Sequence, residues 1–259
     1  KDAFRQIKAD CFDMHFERSC FAALTLSTIP GAALAAASTS STPVLHDLTF
    51  EVRRGEIAAF IGRNGVGKTT LARTVIGLIK PTQGSILFAD EDVTGQPARS
   101  RARKGVGYVP QGRGIFGDLT VEDNLKLGRT IGPLAPRPLE YAYDMFPILG
   151  ERRSQIAGTM SGGQQQQLAI ARALIGQPDL LLLDEPSDGI QPNIVEQIGE
   201  LCTKLNRDEG LTICLIEQNV DLITSCAHRC LLLEKGQITQ RFSPDKLQDP
   251  KVARMALAI

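Results

Sequence analysis

Gly62, Gly67, Lys68 and Thr69 stand at the spacing Gly-x-x-x-x-Gly-Lys-Thr inside GRNGVGKTT, residues 62–70. Glycines allow successive backbone N–H groups to turn inward around an oxyanion. A helix starting there adds unpaired donors and a positive dipole end. Asn64, Gly65 and Thr70 belong to the same cradle, Lys68 brings a mobile charge for the outer phosphates, and Thr69 offers a hydroxyl to magnesium. A second stretch, LLLLDE at 180–185, runs apolar for four residues and then delivers Asp184 and Glu185. Ligands of open α/β sheets bind at such carboxyl ends of strands. Asp184 is suited to hold magnesium through water, and Glu185 to polarise an attacking water. Alone, two acids at a strand end are a common surface feature. Beside a phosphate loop they form a reaction centre.

These residues need elements to carry them. IAAFI (57–61) is a short continuous apolar run, as expected of a strand covered on both faces. A helix is expected from the phosphate loop to about residue 76. Strands are expected at 44–53, 84–90, 105–111, 180–184, 211–216 and 229–234, and helices near 138–146, 163–175 and 219–226. Ile194, Ile198, Leu201 and Leu205 recur at helical spacing, and Thr120 with Asp123 signals a helix start. KGQI reads as a turn into a last strand. Alternation of strands and helices predicts an α/β fold with a largely parallel sheet. Ser161-Gly162-Gly163 opens the 163–175 helix, where a hydroxyl cap, small residues and free N–H groups make a second anion site.

The chain has 259 residues, 42% apolar, with 29 basic and 29 acidic side chains. That balance gives no support for nucleic-acid binding, which normally needs a basic excess. The six cysteines show no CxxC spacing, so free reduced thiols are expected. Residues 20–37 are apolar and small, in the manner of a signal peptide. Their charged lead is long, however, and Pro30-Gly31 interrupts them. We expect an atypical N-terminal extension over 1–43, ordered at most in part, and one domain over 44–259.

MSGGQQQQLAIARAL (160–174), taken with the phosphate loop and LLLLDEP, resembles the nucleotide-binding subunit of an ATP-binding cassette transporter over about 44–242. The resemblance implies a P-loop NTPase-type ABC ATPase core with a mainly parallel sheet and a helical subdomain over about 90–170. ATP and Mg2+ are the implied ligands, with Thr69, Gln111 and Asp184 toward the metal. It places Ser161, Gly162, Gly163 and Gln164 against the gamma-phosphate held by an opposite subunit. Gln111 matches a loop glutamine that relays to the membrane subunit. Gln218 stands where the commonest form has a histidine, and Gln191 where it has an aspartate.

PQGRGIFGDLTVEDNL, DEPSDGIQP and LIEQN resemble the ATPase subunits of branched-chain amino acid and urea or short-amide importers, and GIQP with the four-glutamine run leans toward the latter. That branch implies two transmembrane permease subunits, a second and different ATPase subunit, an external solute-binding protein, and a peripheral position on the cytoplasmic face of the membrane. It reads Glu185, Gln111 and Gln218 as the catalytic set. Family members stack adenine on an aromatic that should fall near Ser38. None is there, which leaves Phe16 or Phe21 by an unusual path. A catalytically weak ATP-binding partner and a soluble ATPase of the same superfamily are the alternatives.

Overall fold

A computed structural model describes residues 22–27, 33–34, 44–132 and 136–257. Its central sheet has six strands: β5 (Ile57–Ile61), β8 (Val106–Val109), β9 (Leu180–Asp184), β10 (Thr212–Ile216), β11 (Arg229–Glu234) and β12 (Gln237–Phe242). They lie in the order β12-β11-β5-β10-β9-β8, and only β12 runs antiparallel to its neighbour. Strands β5, β9 and β10 are buried at every residue, because both faces of the sheet are covered. Leu181, Leu183, Ile213 and Leu215 join one core with helices α6 (Gly162–Ile175) and α7 (Pro192–Glu209). Leu180, Leu182, Cys214 and Ile216 join another with α1 (Lys68–Val75) and a second sheet.

That second sheet is antiparallel, with strands β1 (Ala22–Ser27), β4 (Phe50–Arg53), β6 (Ser85–Phe88) and β7 (Glu91–Asp92) in the order β4-β1-β6-β7. Strand β1 lies within the segment expected to be an extension. Leu24 pairs with Val52 and Phe88 and is buried. The fold therefore draws on residues before position 44, and the apolar, small-residue composition of 20–37 reflects in part a sheet strand. The single strand expected at 44–53 is two. Short β3 (Leu45–His46) pairs with β2 (Ala33–Leu34), Asp47 takes a left-handed φ of 47°, and β4 follows. Phe50 and Phe60 meet edge to face between the sheets, their centroids 4.9 Å apart.

Helices α3 (Val121–Gly128), α4 (Leu139–Met145) and α5 (Pro147–Glu151) pack on α6. The wholly helical stretch is thus bounded by β8 and β9. Residues 91–109, expected in the helical subdomain, supply β7, α2 (Ala98–Arg103) and β8 to the sheets instead. Thr120 caps α3 by accepting from the Asp123 N–H at 3.1 Å. Helix α8 (Val220–Cys226) is capped by Asn219, and α9 (Pro250–Leu257) closes the described chain. Cys202, Cys214, Cys226 and Cys230 are free and buried. Cys11 and Cys20 lie outside the described residues, as do Phe16, Phe21 and Ser38. Among the described residues no helix is long and apolar enough to cross a membrane.

One buried side chain ties α1 to the edge of the sheet. Arg101 is 1% exposed. Its guanidinium donates to the carbonyl oxygens of Thr74 (2.8 Å), Val75 (2.6 Å), Thr94 (3.0 Å) and Gln96 (3.0 Å). The first two stand at the end of α1, where a cation meets the negative dipole end, and the Thr74 carbonyl also accepts from the Gly77 N–H at 3.2 Å. Burial draws the Arg101 pKa down from its ordinary value. Replacing Arg101 with Met should remove its bonds to these four carbonyls and lower the unfolding free energy by about 2–4 kcal/mol in urea titrations. Arg99→Met, at an exposed site on the same helix, should change it by less than about 0.5 kcal/mol.

Candidate functional site

Strand β5 gives way to Gly62, whose φ of 153° and close approach to the Leu233 carbonyl exclude a Cβ. The chain then turns through the loop into α1, with Gly67 at the helix cap and a φ of 107°. Lys68 is 5% exposed and folds back over the loop. Its Nζ donates to the carbonyl oxygens of Gly62 (2.8 Å) and Arg63 (3.1 Å) and lies 3.4 Å from Glu185 Oε1. The ring of backbone around this ammonium leaves a cavity of about 760 Å3. Asn64, Gly65, Gly67, Thr69 and Thr70 line one side, and Gln111, Glu185, Glu217 and Gln218 the other.

Asp184 closes β9 and is 1% exposed. Its Oδ2 accepts from the Tyr108 hydroxyl at 3.1 Å, while its Oδ1 is buried with no hydrogen-bond partner among the described residues. Burial pushes the Asp184 carboxyl up, against the hydrogen bonds of Tyr108 and Thr69. The Tyr108 phenol is likewise pushed up, first by burial and then by Asp184. An orphaned carboxylate oxygen beside the Thr69 hydroxyl suits a hard divalent cation or its bound water.

Glu185 sits in the left-handed region with φ 49°, a costly conformation for a side chain of this size. The Ile216 carbonyl holds it there by accepting its backbone N–H at 2.8 Å. Three donors converge on its carboxylate. Lys68 approaches Oε1, Gln218 Nε2 donates to Oε1 at 3.0 Å, and Gln111 Nε2 donates to Oε2 at 2.7 Å. Gln218 also donates to Asn64 Oδ1 at 2.7 Å. Gln218 thus joins the phosphate loop to the acid opposite. Its amide carries no charge at any pH.

Gln111, Glu185 and Gln218 therefore meet the phosphate loop in one cavity, with Asp184 buried behind its wall. Ser161, Gly162, Gly163 and Gln164 do not line it. They form the start of α6, where the Ser161 Oγ accepts from the Gln164 N–H and the Gln164 side chain accepts from the Ser161 N–H. Arg113 lies against this start, its Nη1 donating to Gln165 Oε1 at 3.2 Å. Glu217, Tyr108 and Asp188 escaped the sequence reading. Glu217 carried the signal that revealed Asp184, an acid directly after a buried apolar strand.

A second hollow, of about 430 Å3 and mostly apolar, opens between the strand end of β8 and the helices. Ile76, Ala102, Phe116, Leu127 and Ile131 line it. Phe116 is 51% exposed, under the Arg172 guanidinium at 5.2 Å from the ring centre.

A family model described as ABC transporter matches residues 45–188. A high-affinity branched-chain amino acid transport ATP-binding protein of Pseudomonas aeruginosa is 44% identical over 211 residues, covering 80% of this chain and 90% of that protein. A probable branched-chain amino acid transport ATP-binding protein of Archaeoglobus fulgidus is 33% identical over 219 residues, covering 83% and 93%. In three dimensions the chain is similar to a nucleotide-free ATP-binding cassette from an ABC transporter, with a TM-score of 0.75 at 24% identity over 91% of this chain and 98% of that one. It is equally similar, at TM-score 0.75 and 22% identity, to a dimeric cassette in a post-hydrolysis state bound to ADP and phosphate, covering 85% and 98%. Family model, sequence relatives and fold agree: this chain belongs to the ABC transporter family and is an ATPase of that family.

Proposed function

We propose that the chain is the ATP-hydrolysing subunit of an importer for branched-chain amino acids. It sits on the cytoplasmic face of the membrane against two permease subunits, paired with a second, different ATPase subunit. A solute-binding protein on the far side completes the system. The observation that carries the reading is the convergence of Lys68, Gln111 and Gln218 on the Glu185 carboxylate, across a cavity floored by the phosphate loop. The names of the Pseudomonas and Archaeoglobus relatives favour branched-chain amino acids over urea or short amides.

In this reading the backbone of residues 62–70 receives the phosphates. Lys68 exchanges Glu185 for the outer phosphate oxygens, so substrate binding itself releases the acid. Glu185 then orients water for in-line attack, which is mostly a matter of positioning and charge. Thr69, Asp184 and Gln111 would hold Mg2+, which supplies charge neutralisation at the phosphates when bound. Ser161, Gly162, Gly163 and Gln164 serve the site of the opposite subunit, which explains why they stand apart from this chain's own cavity. Gln218 donates to a phosphate oxygen without adding charge. Charge on both partners strengthens such bonds, so this site is the slower of an unequal pair.

The apolar hollow is the seat for a permease segment. It exposes Phe116 only five residues beyond Gln111, on the loop that leads from the cavity to α3. An apolar helix end filling it would feel, through that loop, whether Gln111 is engaged with Glu185.

Two experiments test this reading. Glu185→Gln in the assembled transporter should keep ATP binding while turnover falls about a hundredfold or more, the scale of a lost general base. Normal turnover would refute the assignment. The same preparation should contain two ATPase chains in equal amount and drive uptake of leucine in vesicles. Uptake of urea instead would favour the short-amide branch. In the second experiment, Phe116→Glu with Ile131→Glu should leave nucleotide binding by the isolated chain unchanged and strip permease from the tagged complex. Retention of the permease at wild-type stoichiometry would remove the hollow as its seat.

A further inference from the structure

Glu217 directly follows β10, is 2% exposed, and has no role in the scheme above. A carboxylate withdrawn from water persists only where donors replace its hydration. Three backbone N–H groups do so here. Oε1 accepts from Gln218 at 2.6 Å and from Asn219 at 2.9 Å, and Oε2 accepts from Ser187 at 3.1 Å. Bonds to a charged acceptor are the stronger kind. The two oxygens divide their work. One holds the turn that carries Gln218, and the other reaches across to the segment leaving Glu185.

The result is a closed circuit. From Glu185 the chain passes through Pro186 to Ser187, whose N–H reaches Glu217. Glu217 precedes Gln218, whose amide returns to the Glu185 carboxylate at 3.0 Å. The Asp188 N–H also donates to the Glu185 carbonyl at 3.2 Å, so the segment around Ser187 helps to set the left-handed turn at Glu185. We propose that Glu217 is a positioning residue for hydrolysis: it fixes the distance between Glu185 and its amide donor Gln218, and ties both to the segment 186–191. The inference rests on the reading of Glu185 as the water-orienting acid. It adds that a buried acid one residue before Gln218 sets that geometry through its bonds to backbone N–H groups.

The circuit needs an acceptor on each oxygen. Glutamine at 217 keeps one acceptor and turns an NH2 group toward a backbone N–H. With its oxygen at the doubly bonded position, it loses only the tie to Ser187. Aspartate keeps both acceptors on a shorter stem.

The test uses the full chain in its transporter complex, with Glu217→Gln, Glu217→Asp and Glu185→Gln side by side. Amide exchange across 186–191 should quicken in Glu217→Gln while the β10 amides stay protected. We expect its kcat to fall about tenfold or more, the scale on which a misplaced catalytic group costs rate. The KM for ATP and the affinity for ADP should stay within about twofold of wild type. Glu217→Asp should recover part of the kcat. Wild-type kcat in a folded Glu217→Gln protein would overturn the proposal. So would a loss of kcat that merely follows a fallen melting temperature and a raised KM, which is the signature of a structural acid. If Glu217→Gln does not fold, Glu217→Asp decides: faster exchange at 186–191 with unchanged kcat overturns the tie, and a lowered kcat at constant KM supports it. The Glu185→Gln control separates the two claims. If that variant turns over normally, the reading of Glu185 fails, whatever position 217 does.

Discussion

Ile216 pairs with Phe60 on one side and with Asp184 on the other. This parallel register of β5, β10 and β9 is the constraint on which the site depends. It brings three strand ends to one edge of the sheet, so the phosphate loop, the Asp184-Glu185 pair and the Glu217-Gln218 turn leave side by side. A slip of one residue would send the alternate side chains to the opposite face. The continuous burial of all three strands prevents that slip, since each face has its own core to fill. The same neighbours reach beyond the strands. The Ile216 carbonyl accepts the Glu185 N–H, and the Phe60 carbonyl accepts the Glu217 N–H. Strand pairing thus continues into the turns that line the cavity.

The acids gathered at this end of the sheet meet different partners. Lys68 faces Glu185, and Asp184 leans on the Tyr108 hydroxyl. A histidine at position 218 would titrate near neutral pH and make the contact to Glu185 depend on its protonation. Gln218 holds Asn64 and Glu185 through one nitrogen in a single protonation state. Substituting the amide therefore trades a stronger donor for one whose geometry does not respond to pH.

The parts of the molecule legible in the sequence are those written within a few neighbouring residues. The phosphate loop, LLLLDE, the Thr120 cap and the Ser161 capping box each carry their own geometry. Strand β1 was hidden because AALTLS, inside a run of small apolar residues, reads as a leader as readily as a strand. What justifies it is Val52 and Phe88, far along the chain. The break between β3 and β4 turns on a left-handed Asp47, a conformation aspartate tolerates but does not announce. Arg101, Tyr108 and Glu217 were missed for one reason. Each has a partner far along the chain, 27, 76 and 30 residues away, which only folding brings to it.

The loop between the cavity and the apolar hollow is fastened at both ends. Gln111 is held by Glu185 at the cavity, and Phe116 by Asn124 at the hollow. Asn124 is buried and grips the Phe116 backbone twice, accepting its N–H and donating to its carbonyl, each at 2.9 Å. Arg172 adds a bond to the Gly114 carbonyl at 2.7 Å and covers the Phe116 ring. A segment so held cannot absorb a displacement by local fluctuation. Coupling through a protein requires contiguous groups with discrete arrangements, and here the intervening stretch is short. A push on Phe116 must either break the Asn124 pair or move α3 and α6 with it, and α6 begins at Ser161. The hollow is thereby joined to the phosphate-loop cavity through Gln111, and through Arg172 to α6, whose start is capped by Ser161.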